Sequence, residues 1–224
     1  MLLAIDTATR LASIALYDDA GIWAEASWRS QNNHSVEVMP TIAAMLARQG
    51  LAFADLSGVA VAQGPGSFTG LRIGMSLAKG LCLGLEIPLI AIPTLEIAAY
   101  AAGDPGVPVL AVLEAGRGRI CVGAFLYEDG LPTLQGELAL HEAALWEPDL
   151  SDPVLVIGEV DGSLAERLLA LPGAANLAIS SLAGSLRRAG YLAELAWERL
   201  QRGEIADLDT LSPIYVQFAS SPDA

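Results

Sequence analysis

Histidine, cysteine and basic side chains are scarce in this sequence, and each scarcity removes a class of chemistry. The 224 residues include two histidines, His34 and His141, 107 positions apart. No His-x-x-x-His pair and no Cys–His spacing of a zinc site can be drawn from them, so no metal centre is expected. Cys82 and Cys121, the two cysteines, lie in apolar runs and read as small buried hydrophobes, which argues against a disulfide framework. Twelve Lys and Arg stand against 26 Asp and Glu, a formal net charge of −14. An acidic surface repels phosphate backbones, so the chain is a poor candidate for gripping RNA or DNA alone. The imbalance is uneven: residues 1–103 carry eight acids and five bases, residues 104–224 carry 18 and seven. Long apolar runs are also missing. The uncharged stretches are too short for a membrane span and are broken at Pro88 and Pro93. The stretch from Met1 to Asp6 meets an acid with no basic residue before it, unlike a signal peptide. The expectation is a cytoplasmic protein with no membrane contact.

What is present is apolar. Hydrophobic residues make up 53% of the chain and charged ones 17%, enough to bury a large core. Strands are expected at 2–6, 12–17 and 22–28, a meander with a turn at Asp18-Asp19-Ala20-Gly21, followed by a helix over 36–49 that stops at Gly50. A strand at 59–62, a helix over 67–85, a short strand at 89–92 and a helix over 94–102 complete the first half. After Asp104-Pro105-Gly106 the order partly restarts: strands at 109–113, 119–127 and 132–140, a strand at 154–157, a helix near 163–171, a strand at 175–179 and a long helix over 183–202, with residues 220–224 as a loose tail. Two mixed α/β halves, each opening with hairpins, predict two tandem ribonuclease-H-like domains of the actin-like ATPase type. The first comprises residues 1–103 plus about 183–224 and the second 104–182. A doubly wound Rossmann sheet is disfavoured, because three consecutive strands at the start leave no room for the crossovers that parallel strands require.

The densest motif is Gln63-Gly64-Pro65-Gly66-Ser67-Phe68-Thr69-Gly70-Leu71-Arg72-Ile73-Gly74, at a strand-to-helix junction. Glycines there leave backbone N–H groups open at a positive helix end, a place for phosphate or another anion. The same glycines also serve a tight turn, and spacing alone leaves both readings standing. Ser67 follows a tight turn, but its context is not a nucleophile elbow, and no Ser–His–Asp set can be assembled. Asp6-Thr7-Ala8-Thr9 sits at the first hairpin, where an actin-like ATPase cradles phosphate and its hydrated metal; Asp and Thr are equally ordinary turn residues. The candidate phosphate loops are therefore Asp6 and Thr7 with Gly64, Gly66 and Ser67. In the second half, Glu114-Ala115-Gly116-Arg117-Gly118-Arg119 holds the place of the second phosphate hairpin, where Glu114 stands in for an Asp and the arginines either bind an anion or close a turn; the pair Gly158/Gly162 would hold adenosine, with acids badly set for phosphate, or serve a strand-to-helix turn. His34 precedes a helix and reads as a capping or surface residue. The first two helices carry apolar residues past one face, among them Val38, Met39, Ile42, Ile73 and Met75. They are either doubly covered core helices or a face kept for a partner.

The strings Ile5-Asp6-Thr7-Ala8-Thr9, Asn33-His34-Ser35-Val36-Glu37-Val38-Met39-Pro40, Gly64 to Gly74 with Ala78-Lys79-Gly80-Leu81, and Pro93-Thr94-Leu95-Glu96 resemble the TsaB (YeaZ) family. The likeness is strong over about the first 100 residues. Beyond them it rests on element order and on Ser212-Pro213-Ile214-Tyr215. That resemblance implies a subunit of the bacterial machinery that makes N6-threonylcarbamoyladenosine at position 37 of tRNA. It implies binding to the transferase subunit TsaD, cooperation with the ATPase TsaE, and self-association when TsaD is absent. Contact with tRNA would be indirect, through the complex. The partner face implied comprises His34, Val38, Met39, Ile42, Phe68, Arg72, Ile73 and Met75. TsaD-like chains carry a His-x-x-x-His metal motif after the short apolar strand; here those two places fall on Thr94 and Ala98, which cannot ligate iron or zinc, while the acid between them, Glu96, remains. The resemblance therefore implies a non-catalytic chain with no resident cofactor, and at most weak ATP or ADP binding on inherited loops. The competing readings are an actin-like ATP-binding protein or small-molecule kinase and, less favoured, an M22-type, glycoprotease-like metallopeptidase. One departure from the family stands at Leu113–Arg119, where an Asp-Ala-Arg string is usual.

Overall fold

The computed structural model describes residues 1–31 and 33–216; the tail expectation for 220–224 lies outside them. The chain divides into two compact units, one built from Met1–Ile97 with Arg187–Ile214 and the other from Ala98–Leu186. The α/β class expected from the sequence is what the chain forms.

In the first unit, β1 (Leu2–Asp6), β2 (Leu11–Asp18) and β3 (Gly21–Arg29) form the antiparallel meander. Helix α1 (His34–Arg48) leads to β4 (Gly58–Gly64), which lies parallel to β1 in the register Leu2↔Gly58 to Ile5↔Val61. Helix α2 (Phe68–Leu85) crosses to β5 (Leu89–Pro93), parallel to β4, and α3 (Thr94–Tyr100) follows. The sheet order is β3-β2-β1-β4-β5. Every residue of β1 is buried, as expected for a central strand covered on both faces, so it reads as a continuous apolar run without alternation. Leu3, Ile5, Ile14, Leu16, Val59 and Val61 pack with Val38, Ile42, Met45 and Leu46 of α1 and Ala78 and Cys82 of α2. Those helical positions recur at three- and four-residue steps and form one stripe on each helix.

The opposite face of the sheet is covered by the last helix, which packs on β1, β2 and β5. It was expected over 183–202 but forms only over Ala189–Gln201; residues 183–188 are irregular. Arg188, at the N-cap, is extended (φ −86°, ψ 143°), and the Arg187 side chain is tied down into the core, so the backbone there is held out of a helix.

The second unit repeats the strand order. β6 (Val109–Gly116), β7 (Arg119–Glu128) and β8 (Leu131–Glu142) form an antiparallel meander; β9 (Val154–Gly158), α4 (Gly162–Leu169) and β10 (Leu177–Ile179) follow, and Ala189–Gln201 is α5. The sheet runs β10-β9-β6-β7-β8, with β9 parallel to β6 and β10 parallel to β9. Its core gathers Val112, Ile120, Val122, Val154 and Val156 against Trp146, Leu164 and Leu168. Asp161 caps α4, its carboxylate accepting from Leu164 N–H at 2.7 Å and from Ser163 at 2.9 Å; these bonds hold its carboxyl below the ordinary range.

Candidate functional site

The chemistry-bearing residues of the first unit meet at the β1–β2 hairpin. Asp6 ends the buried central strand, so its carboxylate enters the interior with 0% exposure, beside Thr7 and Thr9, which are also buried. Asp6 Oδ1 accepts from Ala8 N–H at 2.9 Å. Arg187, itself 4% exposed, donates Nε to Asp6 Oδ2 at 2.6 Å, and Nη2 to Asp6 Oδ1 at 3.4 Å and to Thr9 Oγ1 at 3.1 Å. Buried charges persist when paired and hydrogen-bonded in this way. His34 Nε2 lies 3.0 Å from the Thr9 carbonyl; a carbonyl only accepts, so Nε2 carries the proton. His34 is thus buried, neither a cap nor a surface residue, because it reaches back from the start of α1 to satisfy the hairpin.

Helix α2 closes the same hairpin from the glycine string. Ser67 N–H donates to the Ala8 carbonyl at 2.6 Å, and Thr7 Oγ1 donates to the Gly70 carbonyl at 2.7 Å. A Cβ at Gly66 would fall 2.3 Å from Ala8 O, at Gly70 2.1 Å from Thr7 O, and at Gly74 2.3 Å from Thr7 Oγ1. Gly70 and Gly74 lie one turn apart on α2 and Gly66 lies just before its N-cap, and all three mark where this backbone meets the hairpin. Ser67 is the N-cap of α2, its hydroxyl accepting from Gly70 N–H at 3.3 Å.

Gly64 (φ +116°) has a different neighbour: a Cβ there would meet the Ile214 carbonyl oxygen at 2.5 Å. Ile214 N–H donates to Gln63 O at 2.9 Å, Gln63 Nε2 to Ser212 O at 3.2 Å, and Lys79 Nζ to Leu211 O at 2.9 Å. The glycine string and the terminal Ser-Pro-Ile are thus two sides of one junction, which sequence reading held apart.

On α3, Thr94 is fully buried and its hydroxyl accepts from Gly64 N–H at 3.0 Å, while Ala98 is a buried methyl. Glu96 pairs with Arg199 of α5 at 2.5 Å, and Arg199 also donates to Ala91 O at 3.2 Å. Burial pushes the Glu96 carboxyl above its ordinary value, against the opposing pull of Arg199. Among the described residues no group of three His, Cys, Asp or Glu is placed to hold a metal ion. Nor is any helix among them long and apolar enough to cross a membrane.

Four of the eight residues expected on a partner face are buried: His34, Val38, Ile42 and Met75. Val38 and Ile42 are core because their stripe of α1 packs on the sheet, and His34 is buried because it reaches the hairpin. Met39 and Ile73 are half-buried; Phe68 and Arg72 are exposed, with the Arg72 guanidinium 3.6 Å from the Phe68 ring centroid. The solvent side of α2 continues through Ser76, Gly80, Leu83 and Gly84, and that of α1 starts at Val36. A Cβ at Gly80 or Gly84 would meet nothing within 4 Å.

In the second unit, Glu114 N–H donates to Glu159 Oε2 at 2.9 Å. Gly158 (φ +113°) lies against β6, where a Cβ would meet Val112 O at 2.1 Å, and Gly162 is the first residue of α4, so this glycine pair serves a strand-to-helix turn. Sequence reading missed the role of Arg187, and it named Thr9 and the 212–214 segment without their contacts. Nothing local marks Arg187, whose carboxylate partner lies 181 positions away.

Comparison with known proteins adds four findings. Residues 25–144 match the family model described as "TsaD: tRNA N6-adenosine threonylcarbamoyltransferase". The tRNA threonylcarbamoyladenosine biosynthesis protein TsaB of Bacillus subtilis is 35% identical over 98% of this chain and 95% of its own length. Among solved structures, YeaZ from Pseudomonas aeruginosa superposes with a TM-score of 0.79 at 26% identity, covering 96% of this chain and 99% of its own. The Acidaminococcus fermentans (R)-2-hydroxyglutaryl-CoA dehydratase component A shares the fold alone, with a TM-score of 0.52 at 12% identity, over 89% of this chain and 98% of its own.

Proposed function

Because the chain belongs to the TsaB family of tRNA threonylcarbamoyladenosine biosynthesis proteins, we propose that it is the non-catalytic subunit that binds and supports TsaD in forming N6-threonylcarbamoyladenosine at position 37 of tRNAs. The observation that carries this reading is α3. At the two places where a TsaD-like chain would present metal-binding histidines stand Thr94, whose hydroxyl is committed to Gly64, and the buried methyl of Ala98. Neither can ligate a transition metal. We read the two sheets of matching strand order as tandem ribonuclease-H-like domains, with residues 187–214 returning to the first.

The partner face in this reading is the solvent side of α1 and α2: Val36, Met39, Phe68, Arg72, Ile73 and Leu83. Exposed apolar side chains alongside bare Gly80 and Gly84 suit close approach of another helix. The occupant is TsaD, or a second copy of this chain when TsaD is absent, and TsaE joins the assembly. No resident cofactor belongs to this role, and tRNA is reached only through the complex. The test is co-purification with TsaD of the same organism, followed by modification of tRNA with and without this chain. Phe68→Glu, at an exposed site, should abolish capture of TsaD while leaving the melting temperature unchanged. Capture at wild-type strength would move the face elsewhere, and transferase activity or a stoichiometric metal in the isolated chain would overturn the non-catalytic role.

A further inference from the structure

The actin-like resemblance puts a hydrated metal on the aspartate of the first hairpin, and the residues present do not fit one. Asp6 has no exposed surface, and both its oxygens are occupied by Ala8 N–H and the Arg187 guanidinium. On the other side, Ser67 N–H bonds directly to the Ala8 carbonyl, and bare Gly66 and Gly70 lie against hairpin carbonyls, which leaves no width for a phosphate between loop and hairpin.

We propose that Arg187 is a tethered cation filling the metal seat of this hairpin, so that the chain fastens its 187–214 segment to β1 without a divalent ion and is closed to metal-bound phosphates at Asp6. A buried carboxylate requires a compensating charge, and a guanidinium supplies one that never loses its proton and offers several donors in a fixed plane. Here Nε takes one carboxylate oxygen while Nη2 bridges the other to Thr9 Oγ1, so one cation satisfies two side chains of the turn. The backbone two residues on is pinned as well: Ala189 N–H donates to Ser13 Oγ of β2 at 2.8 Å. A bound metal would exchange with solvent, whereas this cation arrives with the chain, two residues before α5 begins. The inference concerns the hairpin alone and does not depend on which partner the chain binds.

The experiment is a set of thermal melts on the full chain. Wild-type protein should melt at one temperature with or without millimolar MgCl2 or Mg-ATP, and calorimetric titration with Mg-ATP should show no binding that Asp6→Asn removes. Arg187→Ala should lower the melting temperature by roughly 6–20 °C. Low-millimolar guanidinium chloride, far below denaturing strength, should raise it again, while equal sodium chloride should not. The Asp6→Asn/Arg187→Ala chain should gain nothing from guanidinium. If Arg187→Ala does not fold, Arg187→Lys and Arg187→Met take its place, the lysine variant melting higher because it keeps the charge. Magnesium stabilisation of the wild type that Asp6→Asn abolishes, equal rescue of the double variant, no rescue of Arg187→Ala, or equal melting of the Lys and Met variants would each overturn the proposal.

Discussion

The hairpin between β1 and β2 is buried and closed, whereas the one between β6 and β7 stands in solvent, although both occupy the same place in sheets of the same strand order. At the first, Asp6, Thr7 and Thr9 are all buried and the turn is gripped by His34, by the start of α2 and by Arg187. At the second, Glu114, Arg117 and Gly118 are exposed, Arg117 takes a left-handed φ of +56°, and Glu159, just past the end of β9, accepts from the Glu114 N–H. Charge divides the same way. Unit one holds 13 acids and nine bases, while residues 98–186 hold 12 acids and three bases. Topology therefore does not decide what a turn is for; the side chains that reach it do.

The comparison breaks most visibly at the buried charge. Asp6→Ala leaves Arg187 in the core without its carboxylate and should cost about 3–5 kcal/mol. Glu159→Gln, which keeps an acceptor for a backbone N–H, should cost about 1 kcal/mol or less. Urea unfolding of both variants measures the gap, and equal losses would erase the distinction between the hairpins.

A second contrast lies in the glycines. Gly70→Ala drives a methyl onto the Thr7 carbonyl and should cost about 1–3 kcal/mol, with α2 shifted in hydrogen exchange. Gly118→Ala meets no neighbour and has only its φ of +72° to resist it, about 1 kcal/mol. A larger loss at Gly118 would mean that the exposed turn is the more constrained of the two.

Binding to tRNA sharpens the charge comparison. Arg117 and Arg119 form a basic pair on an acidic unit, while Arg187 is spent on Asp6 and cannot serve a phosphate. The lone chain should show no saturable anisotropy signal with tRNA at moderate salt, and Arg117→Glu/Arg119→Glu should change little. Micromolar affinity lost in that variant would make the second unit an RNA contact.

The smallest difference is expected between the cysteines, one in each unit. Burial pushes the thiols of both Cys82 and Cys121 up to about 11. A thiol raised in the folded state contributes stability that is complete below its unfolded value and is lost as pH rises through its folded one, here from about pH 9 toward 11. At pH 8 a thiol-reactive disulfide reagent should therefore modify neither in the folded chain and both after unfolding; rapid reaction of one alone would show that its unit opens locally.

Much of the fold was legible because it rests on local signals. The β1 run, the turn at Asp18–Gly21 and the strand-to-helix glycines carry their structure in neighbouring residues. The apolar positions of α1 and α2 were legible as well, but not which of them faced inward. Periodicity places Val38 and Ile42 on a helix, yet a core and an interface use the same residue types, and only the sheet beneath them made these core. For α5, propensity ran the helix through 183–188, and a long-range ion pair stopped it at Ala189.

By itself the sequence determined the class of fold, its two-part strand order, the family likeness and the absence of histidines from α3, because each is written in adjacent residues or in periodicity. Tertiary structure alone decided what the glycine string touches, where Arg187 ends, and which sides of α1 and α2 remain in water. Those outcomes depend on groups far apart in the chain, and nothing local tells a buried carboxylate which of the 12 basic residues will compensate it.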